Sequence, residues 1–100
     1  MSHGKWENIT QIKRANKALG HHFFDRDAMT FFRSRVYPHV YGGRFFITSE
    51  QFVAGDGEEF PREYTVREAR PDGTIDTVDM PKFKALADAT ARVEILVRSV

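Results

Sequence analysis

Tyr64-Thr65-Val66-Arg67-Glu68-Ala69, then Arg70-Pro71-Asp72-Gly73, then Thr74-Ile75-Asp76-Thr77-Val78 spells a β-hairpin in turn chemistry, and the rest of the chain has to fold around it. Pro71 presets φ at the second turn position, Asp72 tolerates the third, and Gly73 can take the left-handed conformation that closes the loop with a bulge. With Arg70 opposite Thr74, the predicted pairs are Ala69 with Ile75 and Arg67 with Thr77 on one face. Val66 with Val78 and Tyr64 with Met80 are predicted on the other.

Upstream, Glu50 to Phe60, centred on Gly55-Asp56-Gly57-Glu58-Glu59, reads as an exposed, mobile connection and a contact surface. Before it, Gly42-Gly43 punctuates and Arg44-Phe45-Phe46-Ile47-Thr48 is apolar and β-branched enough for a strand. From Trp6 to Leu19, Ile9, Ile12, Ala15 and Leu19 recur at helical spacing with Lys13, Arg14 and Lys17 between them, and Gly20 is a stop signal. A second, short helix is predicted from Asp25, a capping residue type, carrying Met29, Phe32 and Val36 inward until Pro38 ends it. Downstream, Pro81 interrupts, and Leu86, Ala89, Val93, Leu96 or Val97, and Val100 mark a last helix whose start at Ala85 is poorly capped.

The expectation is a single α+β domain over residues 1–100. It is a three-stranded antiparallel meander with two N-terminal helices and one C-terminal helix packed mainly on one face, the other face being polar or covered by a partner.

Composition bounds what such a domain can be. One hundred residues, 41% of them hydrophobic and including nine Phe, supply one core and not two. The absence of cysteine excludes disulfides, thiolate metal ligands and a thiol nucleophile, and suits a reducing bacterial cytoplasm, the expected location. The N-terminus lacks an apolar signal core, and no run approaches the roughly 18 apolar residues that span a bilayer, so no membrane partner is expected. The net charge of +1 hides an asymmetry: residues 1–50 hold three Lys and five Arg against four acids, net +4, and residues 51–100 hold two Lys and five Arg against ten acids, net −3.

No candidate for chemistry has the spacing it needs. His21, His22, Asp25, Asp27 and His39 are metal-ligating residue types, but adjacent histidines at a helix end diverge, so neither a metal nor another cofactor is expected. No serine sits in a Gly-x-Ser-x-Gly turn. The carboxylate pairs Glu58-Glu59 and Glu68 opposite Asp76 belong to a loop and a hairpin rather than a cleft, the second pair being relieved by Arg67, Arg70 or solvent. No catalytic residue is assigned, and the chain is read as non-enzymatic.

Surface chemistry carries the functional expectation. In Phe23-Phe24, Phe31-Phe32 and Phe45-Phe46 only one neighbour of each pair can face one core, so half the rings lie near the surface unless elements on opposite sides hide both. Exposed rings beside arginine have the composition of a protein interface. The predicted partner-binding residues are Arg33, Arg35, Tyr41, Arg44, Glu58 and Glu59, meeting a host protein or protein complex. The alternative is nucleic-acid binding through Lys13, Arg14, Lys17, Arg33 and Arg35. A third reading is a homodimer that buries the Phe pairs against its own copy.

The segments Asn16 to Phe24, Met29 to Val36, Tyr41 to Phe52, Tyr64 to Val78 and Phe83 to Ala89 together resemble a family of small uncharacterised proteins of bacteriophage, prophage and other mobile-element genomes, over roughly residues 15–90. The resemblance implies a phage-type protein working in a bacterial cytoplasm. It transfers no activity or ligand to any residue. In that setting, an inhibitor of a bacterial defence system of the anti-CRISPR kind is the expected role.

Overall fold

The computed structural model describes residues 4–78 and 82–99. The expectations that fall on Met80, Pro81 and Val100 lie outside them. Three helices, α1 (Ile9–Ala18), α2 (Arg26–Phe31) and α3 (Leu86–Ser99), flank four strands, β1 (Arg35–Tyr41), β2 (Phe45–Glu50), β3 (Glu63–Ala69) and β4 (Ile75–Thr77). The strands form one antiparallel sheet in the order β1-β2-β3-β4.

The hairpin register follows the turn chemistry: Ala69 pairs with Ile75, Glu68 with Asp76 and Arg67 with Thr77. Arg70 N–H donates to Thr74 O at 2.9 Å, and Val78 N–H donates to Val66 O at 2.9 Å. Gly73 is required twice over. Its φ is +100°, and a Cβ there would lie 2.8 Å from the Ala15 Cβ of α1. The helix is tied to the same turn by Asn16, fully buried, whose Nδ2 donates to Gly73 O at 2.9 Å. At the start of β3, Tyr64 exchanges backbone hydrogen bonds of 2.7 and 2.9 Å with Phe83.

The sheet has four strands where three were predicted. Val36 and Pro38, read as the end of the second helix, lie in β1. The helix stops earlier because Arg33 takes a left-handed φ of +49° and turns the chain. Pro38 is compatible with a strand because β1 is an edge strand, and its register with β2 breaks between Tyr37 and Tyr41 at an irregularity that absorbs the missing donor.

The helices also divide between the two faces instead of sharing one. Phe45, Ile47 and Val66 pack with Ala89 and Val93 of α3, while Phe46 and Ala69 pack with Ile9 and Ile12 of α1. The physical reason is in β2. Phe45-Phe46-Ile47 is apolar on both sides of the strand, every residue from Phe45 to Ser49 is buried, and only two layers of helix can satisfy that. Burying Phe46, with no exposed surface, contributes about 2–3 kcal/mol. The N-terminus of α1 is capped by Asn8, whose side chain accepts from Gln11 N at 2.9 Å, a device worth about 1 kcal/mol. Asp25 precedes α2 as expected, but its carboxylate pairs with His22 Nδ1 at 2.7 Å rather than capping the helix.

Candidate functional site

The three Phe pairs have three different fates. Phe45 and Phe46 are buried on opposite faces. Phe23 and Phe24 are half-buried and pack on Phe46, Phe23 edge-on with ring centroids 6.5 Å apart. Phe31 and Phe32 stay outside, 79% and 53% exposed.

Residues 51–60 join Phe31 and Phe32 at the surface. This segment is ordered as a small hairpin rather than an irregular loop: Val53 bridges Glu59, Ala54 N–H donates to Glu58 O at 2.8 Å, and Phe60 N–H donates to Phe52 O at 3.0 Å. The tip turns at Gly57, with φ +89°. The base of this hairpin places Phe52 (69% exposed) beside Phe60 (42%), with ring centroids 5.6 Å apart. Gln51 N–H donates to Phe32 O at 3.1 Å and Gln51 Nε2 to Phe60 O at 3.2 Å, so the two exposed aromatic pairs stand on one hydrogen-bonded support. Phe52, Phe60, Pro61 and Lys84 line a depression of about 440 Å³ beside it.

Of the predicted partner-binding residues, Arg33, Glu58 and Glu59 meet here. The Arg33 guanidinium donates to Glu59 at 2.6 Å, clamping α2 to the hairpin. Arg35 is exposed on β1 opposite Ser49. Tyr41 and Arg44 lie at the other end of the sheet. Tyr41 packs against His39 at 4.2 Å between ring centroids, and Arg44 is half-buried against Glu68, its Nε donating at 3.0 Å, with its guanidinium over the Phe45 ring. The six residues therefore divide between two ends of the molecule. Phe52 and Phe60 fall within the 50–60 segment expected to be a contact surface, and Phe31 within a Phe pair expected to leave one ring near the surface, but none of the three was singled out, and Arg62 was missed. Arg62 donates to Arg33 O at 2.8 Å and to Ser49 Oγ at 2.9 Å, bracing the junction. The signal that could have found the rings is their spacing: Phe52 and Phe60 sit symmetrically about the Gly-Asp-Gly turn.

The alternative basic set is divided as well. Lys13, Arg14 and Lys17 are exposed together on α1, whereas Arg35 stands on the opposite face of the sheet and Arg33 is already paired with Glu59. Glu68 opposite Asp76 is relieved by Arg44 and Arg70. Arg67, the other arginine expected to do so, points to the opposite face. Among the described residues, no three His, Asp or Glu side chains converge as a metal-ligand set, and no helix is long and apolar enough to cross a membrane.

On the α1 face, beyond Phe46, the sheet turns polar. Arg67 Nε donates to Thr48 Oγ1 at 3.0 Å, one terminal nitrogen to Thr77 Oγ1 at 2.6 Å, and the other approaches Glu50 at 3.4 Å. Thr65 Oγ1 donates to the second Glu50 oxygen at 3.1 Å, and Lys82 Nζ stands 3.8 Å from it. Burial lowers the Arg67 pKa, with Glu50 opposing that shift. The group borders a cavity of about 250 Å³ roofed by α2, whose apolar walls are Phe23, Ala28, Met29 and Phe32.

Neither the curated proteins nor the solved structures contain a significant match to this chain. Residues 8–94 match DUF7447, a family of unknown function, and the chain belongs to that family.

Proposed function

We propose that this chain is a non-enzymatic accessory protein that binds a host protein through the surface built by Phe31, Phe32, Phe52 and Phe60, with the Arg33–Glu59 clamp, Glu58 and Arg62 around it. The observation that carries this reading is the exposure of four phenylalanines on a hydrogen-bonded support, in a domain that buries its other Phe pairs fully or in part. Rigid aromatic rings beside arginine have the composition of interface hot spots, and a domain that leaves two such pairs exposed on one hydrogen-bonded support loses apolar burial it could have had. The resemblance to phage and mobile-element proteins supports the setting, a bacterial cytoplasm, and within it an inhibitor of a host defence complex of the anti-CRISPR kind is the role that this size and surface suit. An alternative reading, nucleic-acid binding, is supported by the exposure of Lys13, Arg14 and Lys17 together on α1.

Capture from nuclease-treated bacterial lysate with the wild-type protein and with Phe31→Ser/Phe52→Ser separates these readings. The expected result is one protein complex retained by the wild type and lost by a variant that is still folded. Recovery of nucleic acid alone before nuclease treatment, with an affinity that falls steeply as salt rises, would overturn the first reading in favour of the second.

A further inference from the structure

The cavity beneath α2 is separate from the outer aromatic surface apart from the shared ring of Phe32, and we propose that it is a binding site for a small organic anion with an apolar body, of the size and type of an aromatic or short aliphatic carboxylate. A sheet face under a helix is ordinarily filled with apolar side chains, and an ion pair placed there adds little net stability over a hydrophobic filling of the same shape. Here the face carries Thr48, Thr65, Arg67 and Glu50, with the Arg67 and Glu50 side chains only 15% and 14% exposed, and space is left beside them instead of being filled. A carboxylate ligand accounts for both features.

The donors are arranged for one. Arg67 uses three of its five N–H groups on Thr48, Thr77 and Glu50, and the planar fork is held by the Phe23 ring 5.1 Å from its centre. Glu50 is engaged on both oxygens, by Thr65 and by Arg67. Lys82, at 3.8 Å from Glu50, is within ion-pair range of it but outside hydrogen-bond range, so among the described residues its ammonium can turn a donor to a ligand. Among the described residues, the three charged side chains lining the cavity, Glu50, Arg67 and Lys82, sum to +1, which favours an anion over a neutral or cationic guest of the same shape. The opposite wall of Phe23, Ala28, Met29 and Phe32 takes the apolar body, as in small-molecule sites generally, where a few polar groups orient a guest held by apolar walls. A cavity of about 150 Å³ holds a benzene, so about 250 Å³ admits a ring with its carboxylate.

Met29 supplies the reporter, since the chain has three methionines and this one lines the cavity. Protein labelled with ¹³C at the methionine methyls, with the signal assigned by Met29→Leu, is titrated with sodium benzoate, benzamide and benzylammonium chloride at constant ionic strength. The expected result is a saturable shift of the Met29 methyl with benzoate, with affinity at least about tenfold weaker for the other two. Binding should be abolished by Ala28→Leu, which fills the space, and weakened several-fold by Lys82→Gln. The proposal is overturned if benzoate gives no saturable shift, if benzamide or benzylammonium binds as tightly, or if Lys82→Gln leaves benzoate affinity unchanged. The ligand series on the wild-type protein decides by itself should either variant fail to fold.

Discussion

Strand β2 is covered on both sides, yet the two neighbourhoods differ in kind. Beneath α3, Phe45 and Ile47 meet Val66, Ala89 and Val93, with Tyr37, Tyr64, Phe83, Leu96 and Val97 around them. Beneath α1, Phe46 meets Ile9, Ile12 and Ala69, but within two residues the same face presents Thr48 and then Glu50, paired across the sheet with Thr65 and Arg67. One helix seals its face with aliphatic and aromatic side chains. The other face is closed at the α1 end and polar at the α2 end, because α2 spans only Arg26–Phe31 and has no buried residue. Stability is concentrated at the centre of the sheet, and the six-residue helix covers the part that is free to hold something else.

The strongest way to break this contrast is at the centre, where both faces should be equally intolerant. Phe46→Ala is expected to cost about 4 kcal/mol and Ile47→Ala about 3 kcal/mol, read as midpoint shifts in denaturant at unchanged slope. If Phe46→Ala proved mild, the α1 side would not be a core.

Next in size is the polar end. Arg67→Met leaves Glu50 buried without its arginine and should cost about 3 kcal/mol, whereas Glu50→Gln/Arg67→Met should recover most of that loss. A double-mutant cycle with no coupling would make the ion pair an incidental contact and weaken the case for a built cavity.

Gly73→Ala should cost about 1–3 kcal/mol, since the substitution adds backbone strain at φ +100° and sets a Cβ against Ala15 of α1. It measures how firmly the hairpin turn is docked on α1. Smaller again is the outer clamp. Arg33→Ala removes a surface ion pair with Glu59 whose partners are about half exposed, and it should shift stability by no more than about 1 kcal/mol while lowering partner capture if the proposed interface is correct.

The smallest expected effect is on pH dependence. Asp72 accepts from the backbone and hydroxyl of Thr74, which lowers its pKa. Its contribution is therefore fully present above the unfolded carboxylate value of about 3.9 and is lost as pH falls through the lower folded value. Acid unfolding of Asp72→Asn should differ from the wild type above that window and converge with it below. A difference that persists at the acid limit would assign the effect to something other than ionisation.

The hairpin was legible residue by residue because turn chemistry is local: Pro71, Asp72 and Gly73 determine the register of every pair that follows. The α1 and α3 stripes were legible for the same reason, as was the Gly20 stop after α1, where φ is +81°. Leu19 and Leu86 were not: despite their spacing, Leu19 is 45% exposed beyond the last turn of α1 and Leu86, at the start of α3, is 38% exposed. The β1 strand was misread because Val36-Tyr37-Pro38-His39-Val40 contains a helix breaker that is also tolerated at a sheet edge, and edge position is a property of the assembled sheet. The candidate surface was legible only in part. Arg33, Glu58 and Glu59 were identified from composition and the 50–60 segment as a contact surface, but which rings would stay exposed was not, because an apolar residue in a sequence carries no mark of whether something will cover it.

From the chain alone came the class of fold, the hairpin and its pairing, the helical stripes, and the lack of thiol chemistry, since each depends on neighbours a few positions away or on composition. Which face each helix takes, the fourth strand, the exposure of Phe31, Phe32, Phe52 and Phe60, and the gathering of Glu50, Arg67 and Lys82 beside one cavity depend on contacts between residues far apart in the chain. Those contacts exist only once β2 has been enclosed from both sides.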